Sequence, residues 1–517
     1  MFSTALSAVI SGLESRIVQV EADVSTGLPY FDMVGYLSGE VKEARERVRT
    51  AVRNSGFSLE PKRIVINLSP ADIRKSGTSY DLAIAAAILS SYGLLPQNAL
   101  KDTLLVGELS LNGGVRGVRG VLPIILMARK QNVRRCLVPA DNAFEGAQIG
   151  GIEVYGVHDL IEAVGFLRGT AEIRPVGGGF VPEKAEGSSS VPDFIDIRGQ
   201  ETLKRSMEIA AAGMHNILMI GPPGSGKSMA ARRLPSIMPS LTYEERLEIS
   251  EIYSVAGKLD PHEGLVSERP FRNPHHTIPE TVLAGGGRTP EPGEISLAHL
   301  GVLFLDELNL FSSKTLEVMR EPVESGRITV SRMAGSCEFP ARFMLVGAMN
   351  PCRCGFYPDM AKCRCTPLQI KRYLEKVSQP LLDRIDMIVE VKKIPPEEII
   401  SDSPKGPESS ADIRARVEKA RLAQAERYKG SGYLYNSQLL DRDIDLFCRL
   451  GAKERRLAKR LYDKFNLSAR TYRKILKVSR TIADLEGADE ITEEHLCEAA
   501  YYKSLDRKYW GGIYGEY

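Results

Sequence analysis

Asn216–Leu234 reads NILMIGPPGSGKSMAARRL. Ile217 to Ile220 form a short apolar run with the look of a buried strand. The pattern G-x-x-x-x-G-K-S then spans Gly221 to Ser228, and a helical stretch follows. Strand, glycine-rich turn and helix in that order are the context a phosphate-binding loop requires. Gly221, Gly224 and Gly226 let the backbone turn tightly and aim its N–H groups at phosphate oxygens, with Pro222, Pro223 and Ser225 completing the loop. Lys227 can reach the β- and γ-phosphates of ATP, and Ser228 can ligate Mg²⁺. The helix contributes its positive end.

Working outward, GVLFLDEL (301–308) offers a second buried strand that ends on two acids. Asp306 would hold Mg²⁺ and Glu307 would polarise the attacking water, the two roles metal-assisted phosphoryl transfer needs. Four apolar residues before two acids say little alone; about 80 residues after a phosphate-binding loop they say much more. A third run, FMLVGAMN (343–350), ends on Asn350, which can orient the water from the adjacent strand end. SQPLLDRIDMIVEV (378–391) places Arg384 between a short helical turn and a strand, where a surface ion pair with Asp383 or Asp386 is the competing role. LSARTYRKILK (467–477) sets Arg470 near a helix start with Ser468 as N-cap.

The chain around these motifs has 517 residues, enough for three or four domains. Its 68 basic and 66 acidic residues leave +2, so overall charge names no partner. At 43% hydrophobic and 26% charged it is an ordinary globular composition, which argues against wholesale disorder. No apolar run approaches the roughly 18 residues of a membrane span. The opening MFSTALSAVISGLESRI lacks a basic segment before its apolar part and reads as mature structure. Cysteine usage suits a reducing, cytoplasmic compartment. Gly, Pro and Ser crowd residues 172–193, and a second joint covers 395–411. Three parts result: 1–171, 194–394 and 412–517. In the first two, short β-rich runs (Arg63 to Leu68, Thr103 to Val106, Ile217 to Ile220, Val302 to Leu305, Phe343 to Val346) alternate with helical stretches, which predicts an α/β fold. The third is helical, with helices expected over 412–428, 453–465, 468–485 and 492–504. It carries 22 basic against 17 acidic residues.

Phosphate-binding loop, acid pair, strand-end Asn, LLDR and a late S-x-R, in this order, resemble an AAA+ ATPase. The wording PGEISLAHLGVLFLDE (292–307) and PARFMLVGAMNP (340–351) is similar to the magnesium-chelatase-like branch, and to its ComM/YifB family in particular. The likeness runs over nearly the whole chain, including GLPYFDMVG (27–35). It implies an AAA+ core with a helical C-terminal lid. Asn350 would be the sensor-1 residue, Arg384 an arginine finger acting on a neighbouring subunit's γ-phosphate, and Arg470 the sensor-2 residue. Ile197, Arg198, Gly199 and Gln200 would wrap the adenine. A finger acting across a boundary implies a homo-hexameric ring.

Two inserts bear on the substrate. AGGGRTPEPGEI (284–295), with Arg288, falls where helicase relatives carry a hairpin. GRITVSRMAGSCEFPARF (326–343) reads as two short strands around Ala334, Gly335 and Ser336, with Arg332 near the tip. It resembles the channel-lining hairpin of MCM-like helicases, where an arginine suits DNA phosphate; a plain surface hairpin is the competing reading. On 468–485, Arg470, Arg473, Lys477 and Arg480 share one helix face, which is either solvated or turned to ATP and a polyanion.

NPCRCGFYPDMAKCRCTP (350–367) gives C-x-C, eight residues, then C-x-C. Cys352, Cys354, Cys363 and Cys365 could supply four thiolates to a structural Zn²⁺ with no open coordination position. Unligated thiols and a redox-formed pair are the alternatives. His275 and His276 receive no chemical role. In the first part, INLSPADIRKSGTSYDLAIAAAIL (66–89) and GELSLNGGVRGVRGVLPIILMA (107–128) resemble the Lon-protease-like α/β fold, with Ser79 at the nucleophile's place. Leu122 stands where a Lys would activate it, so peptidase activity is not expected. The combined expectation is an ATP-hydrolysing DNA motor, a branch-migration helicase acting in recombination or DNA uptake by natural transformation. The alternatives are a chelatase-type remodeller of a protein partner and an ATP-dependent protease. No membrane association is expected.

Overall fold

The computed structural model describes residues 1–177, 192–287, 289–332, 335–394 and 408–514. Most of both expected linkers, together with Arg288 and Ala334, lies outside the described residues. The chain forms two compact units, Met1–Ala185 with Tyr243–Ser267, and Glu186–Thr242 with Glu268–Tyr517. The second unit is interrupted by Tyr243–Ser267, a stretch the sequence reading left inside the ATPase core.

The first unit is built on a seven-stranded mixed sheet. Its central strands, Phe2–Ser11 and Glu14–Ser25, pair antiparallel. Val18, Val20, Ala22 and Val24 are buried while Gln19, Asp23 and their like turn outward, the period-2 pattern that fixes register when one face is covered. The covering helix Asp81–Ser91 is buried along its whole length. In the same unit, Ser254 of the helix Tyr243–Val255 hydrogen-bonds the Glu145 carboxylate. That carboxylate also accepts the Leu122 N–H (3.1 Å) and the Asn142 side-chain amide (3.1 Å). It thereby satisfies an orphan donor in the first turn of the helix Val121–Lys130. Burial pushes the Glu145 carboxyl up, only partly offset by Ser254, Asn142 and Leu122. Leu122 is itself fully buried.

The second unit holds a five-stranded, all-parallel sheet. Ile217–Ile220 lies between Met344–Met349 and Met387–Glu390. Val302–Leu305 lies beyond Met344–Met349, and Phe271–Arg272 forms the edge. The central strands are continuous apolar runs because both faces are covered. Truncating the fully buried Phe304 to Ala would cost about 3–5 kcal/mol. Helices Ser410–Arg427, Ala452–Lys464, Ala469–Glu486 and Glu493–Tyr514 follow; the first three are close to the expected spans, and the last runs ten residues beyond the expected end at 504. They share one hydrophobic core with the sheet. Ser468 caps Ala469–Glu486 by accepting the Thr471 N–H (3.1 Å).

Candidate functional site

Parallel strands put their carboxyl ends on one edge of the sheet, and the polar residues after them converge there. The phosphate-binding loop leaves Ile220, Asp306 leaves Leu305, and Asn350 leaves Met349. Ser228 Oγ donates to Asp306 Oδ2 at 2.6 Å, so the two Mg²⁺ ligands expected from sequence touch. Lys227 Nζ donates to the carbonyls of Gly221 (2.7 Å) and Pro222 (2.9 Å), to Ser225 Oγ (3.4 Å) and to Asn350 Oδ1 (3.2 Å). Burial pushes the Lys227 ammonium down to about 8, with Asp306 working the other way. A γ-phosphate would restore the charge such a lysine needs. Gly221 is required by close approach, since a Cβ there would collide with the Val391 carbonyl oxygen.

These residues fit Mg²⁺ and a nucleotide triphosphate: a hydroxyl and a carboxylate in contact, a cation, and a loop presenting backbone donors. Glu307 follows Asp306 in the left-handed region (φ 52°) and is half exposed. Its N–H donates to Asp306 Oδ1 at 2.9 Å. His276 Nδ1 stands 3.8 Å from Glu307 Oε2, with its ring 4.1 Å from that of His275. The histidine pair thus borders the acid; the sequence shows the pair but not its neighbour, because strand order is set by tertiary pairing.

On the flank, Ile197 is buried and Gly199 has φ 59°. Gln200 Nε2 donates to the Lys392 carbonyl (2.5 Å) and to the Ser225 carbonyl (3.4 Å), tying the loop to the end of Met387–Glu390.

Arg384 and Arg470 are not at this edge. Met387 pairs with Ile217, so Arg384 precedes its strand at the amino end of the sheet. A four-residue strand spans about 13 Å, which separates that end from the chain's own phosphate-binding loop. Arg384 Nη2 pairs with Glu324, and its Nε and Nη1 donate to the carbonyls of Arg320 (2.9 Å) and Pro380 (2.8 Å). Arg470 Nη2 reaches the same Glu324 carboxylate at 3.4 Å. One turn on, Lys474 pairs with Asp386 at 2.8 Å. Burial pushes the Asp386 carboxyl up, but Lys474 and His215 outweigh it and hold it well below the usual range. Glu324 was missed in the sequence; an acid in an ordinary helical stretch gives no signal.

The expected basic helix face is largely spent on the fold. Arg480 is buried against Asp484 (3.0 Å), Lys477 Nζ donates to the Ser437 carbonyl (3.1 Å), and Arg473 pairs with Asp441. Little of it is open to a polyanion. Arg332 does sit at the end of its hairpin, paired with Gly335 across the turn. Its Nη2 donates to the Gly285 carbonyl at 2.7 Å, joining this hairpin to the antiparallel pair Gly285–Gly286 and Glu291–Pro292. Arg288 itself lies outside the described residues.

The four cysteines gather. Sγ separations are 3.3 Å (Cys352–Cys354), 3.7 Å (Cys352–Cys363) and 3.5 Å (Cys354–Cys363), and all four sulfurs lie within 4.8 Å of one another. Zn–S bonds of about 2.3 Å set tetrahedral sulfurs about 3.8 Å apart, so the arrangement fits the ion. Burial works against it, but the N–H groups of Phe356 and Arg364 and the thiols of Cys352 and Cys363 pull the Cys354 thiol down to about 6, while the Cys365 N–H is outweighed at Cys363, which burial and its sulfur neighbours push up to about 12.

Comparison with known proteins agrees with this architecture. Residues 193–399 match the model of magnesium chelatase, subunit ChlI; residues 20–142 match subunit ChlI of Mg-chelatase, and residues 407–503 its C-terminal region. The chain is 42% identical over 499 residues to the competence protein ComM of Haemophilus influenzae, covering 96% of each chain. It is 43% identical over 498 residues to YifB of Escherichia coli, again 96% of each. The magnesium-chelatase 38 kDa subunit of Rhodobacter capsulatus is 26% identical over 350 residues, 61% of this chain and 88% of the subunit. A phosphate-binding loop, an acid pair and a polar strand end on one sheet edge, together with these matches along the whole chain, make it a member of the magnesium-chelatase-like AAA+ ATPases of the ComM/YifB family.

Proposed function

We propose that this chain hydrolyses ATP as a homo-hexameric ring and uses the energy to move DNA strands, with branched recombination intermediates or incoming transforming DNA as substrate. The observation that carries the reading is the polarity of the ATPase unit. Ser228, Asp306, Lys227 and Asn350 meet at one end of the sheet, while Arg384 and Arg470 share Glu324 at the other. A subunit built this way holds a nucleotide at one end and offers two cations to a neighbour's nucleotide at the other. The name of the Haemophilus relative, a competence protein, supports the DNA-handling part.

In this reading Lys227 and the loop N–H groups hold the phosphates, and Ser228 and Asp306 would hold Mg²⁺, which neutralises charge as the phosphoryl group leaves. Glu307 accepts a proton from the attacking water and Asn350 fixes that water's direction. Arg384 of the adjacent subunit takes up the charge developing on the γ-phosphate. The cysteine loop would bind about one structural Zn²⁺ per chain.

The test is the ATP turnover rate with and without single-stranded, duplex and four-way DNA at low salt. The proposal expects stimulation, and DNA affinity whose logarithm falls with log salt by about 0.9 per neutralised phosphate on duplex DNA. No stimulation by any DNA form would overturn the DNA assignment. It would leave an ATPase that remodels a protein partner as the alternative.

A further inference from the structure

The cysteine loop and the nucleotide site are one piece of structure. Asn350 accepts from Lys227, and Cys352 follows two residues later, fully buried. Gly355, between the two C-x-C pairs, has φ 83°, and a Cβ placed on it would stand 2.5 Å from Pro223 Cδ and 3.7 Å from Pro222 Cα. The loop therefore lies directly against the two prolines of the phosphate-binding loop. Its own turn is closed by the Gly355 N–H on the Cys352 carbonyl (3.1 Å) and by the Tyr357 N–H on Cys352 Sγ (3.4 Å). Tyr373, on the helix Pro367–Leu374 that follows the last cysteine, lies within electrostatic reach of both Cys352 and Glu307.

Local hydrogen bonds shape the turns of this loop, with the Asp359 N–H on the Phe356 carbonyl (2.8 Å) and the Lys362 and Cys363 N–H groups on the Asp359 carbonyl (3.1 and 2.8 Å), while the sulfurs draw its two C-x-C pairs together. Four thiols packed together have no mutual attraction strong enough to offset the entropy of ordering the segment; a tetrahedral ion supplies it. Without the ion, the wall behind Pro222 and Pro223 and the segment that aims Asn350 at Lys227 are free to relax.

We infer that the metal at Cys352, Cys354, Cys363 and Cys365 controls nucleotide affinity: the ordered metal loop braces the phosphate-binding loop through Gly355 and Asn350, so metal and nucleotide bind cooperatively. This rests on the Zn²⁺ reading above. Because coupling between two binding sites is reciprocal, nucleotide must hold the metal more tightly by the factor by which metal tightens nucleotide.

The experiment uses the full chain. Affinity for a fluorescent ADP is measured on zinc-loaded and zinc-stripped protein with Mg²⁺ held constant. Zinc affinity is then measured by competition with a chromogenic chelator, with and without saturating ADP. The inference expects nucleotide binding to weaken about tenfold on stripping, and zinc binding to strengthen by the same factor with ADP. Gly355→Ala keeps all four thiols; it should retain one Zn²⁺ per chain, measured by elemental analysis, and still bind ADP several-fold more weakly. A chain that binds no Zn²⁺ overturns both the metal reading and this inference. A chain that binds Zn²⁺ with equal ADP affinity in both states, and an unaffected Gly355→Ala variant, overturns the inference alone.

Discussion

Glu307 and Asp306 are adjacent in sequence yet differently placed: Asp306 meets Ser228, while Glu307, in the left-handed region, borders His276. Glu307→Gln is therefore expected to keep nucleotide and Mg²⁺ binding and to lose at least about 100-fold in turnover, the usual scale of a lost general base. Binding of labelled ATP beside steady-state phosphate release checks it; turnover at the parent rate would remove Glu307 from the mechanism. Arg332→Ala tests the hairpin. Its guanidinium leans on the Gly285 carbonyl, outside the nucleotide site, so basal turnover should hold. DNA stimulation should weaken about equally on all sequences, because phosphate contacts carry no base information. A sequence-dependent loss, or none, would contradict a phosphate role.

At the level of elements, the helix Tyr243–Val255 is the departure from what the sequence foretold. Its neighbours in sequence build the ATPase sheet, but its buried Ile249 and Ile252 belong to the first unit. Periodicity announces an amphipathic helix and cannot name the surface that will cover it. The strands Ile217–Ile220 and Val302–Leu305 were legible for the opposite reason. Their motif residues must sit at strand ends, so composition and chemistry fix the same boundary. The meeting of Arg384 and Arg470 on Glu324 was not legible, since it joins three distant segments through a single exposed acid. On the same inserted helix, burial pushes the Glu251 carboxyl up to about 7, with Lys130 pulling it down and Glu248 pushing it up. An acid raised in the folded state destabilises it once ionised. The penalty is absent below its unfolded value near 4.5 and complete above about 7. Glu251→Gln should therefore stabilise the first unit at pH 8 by about 1–3 kcal/mol and make no difference near pH 4.5. Denaturant unfolding at the two pH values decides it, and an equal effect at both would refute the assignment.

For the whole molecule, the cysteine loop gives a compositional expectation: protein purified without added metal should carry about one Zn²⁺ per chain, lost when Cys352 and Cys363 are changed to Ser together. The larger claim concerns how ATP sites are completed. The candidate nucleotide-binding residues and the two arginines lie at opposite ends of one parallel sheet, so on the proposed reading a chain acting alone supplies only half of a site. An arginine acting in trans is worth about 10³–10⁵ in turnover, so the proposed ring would raise hydrolysis by that factor. Among the described residues no helix is long and apolar enough to cross a membrane.

The most direct measurement mixes two inactive variants. Arg384→Ala leaves the candidate nucleotide pocket intact and removes the proposed finger; Glu307→Gln removes the proposed base and keeps Arg384. Each alone should show almost no ATP turnover. Combined in equal amounts and allowed to exchange subunits, they should recover a substantial share of parental activity, because some interfaces then pair an intact pocket with an intact Arg384. Mixtures that stay as inactive as either variant alone would contradict the claim that the site is completed by a neighbour.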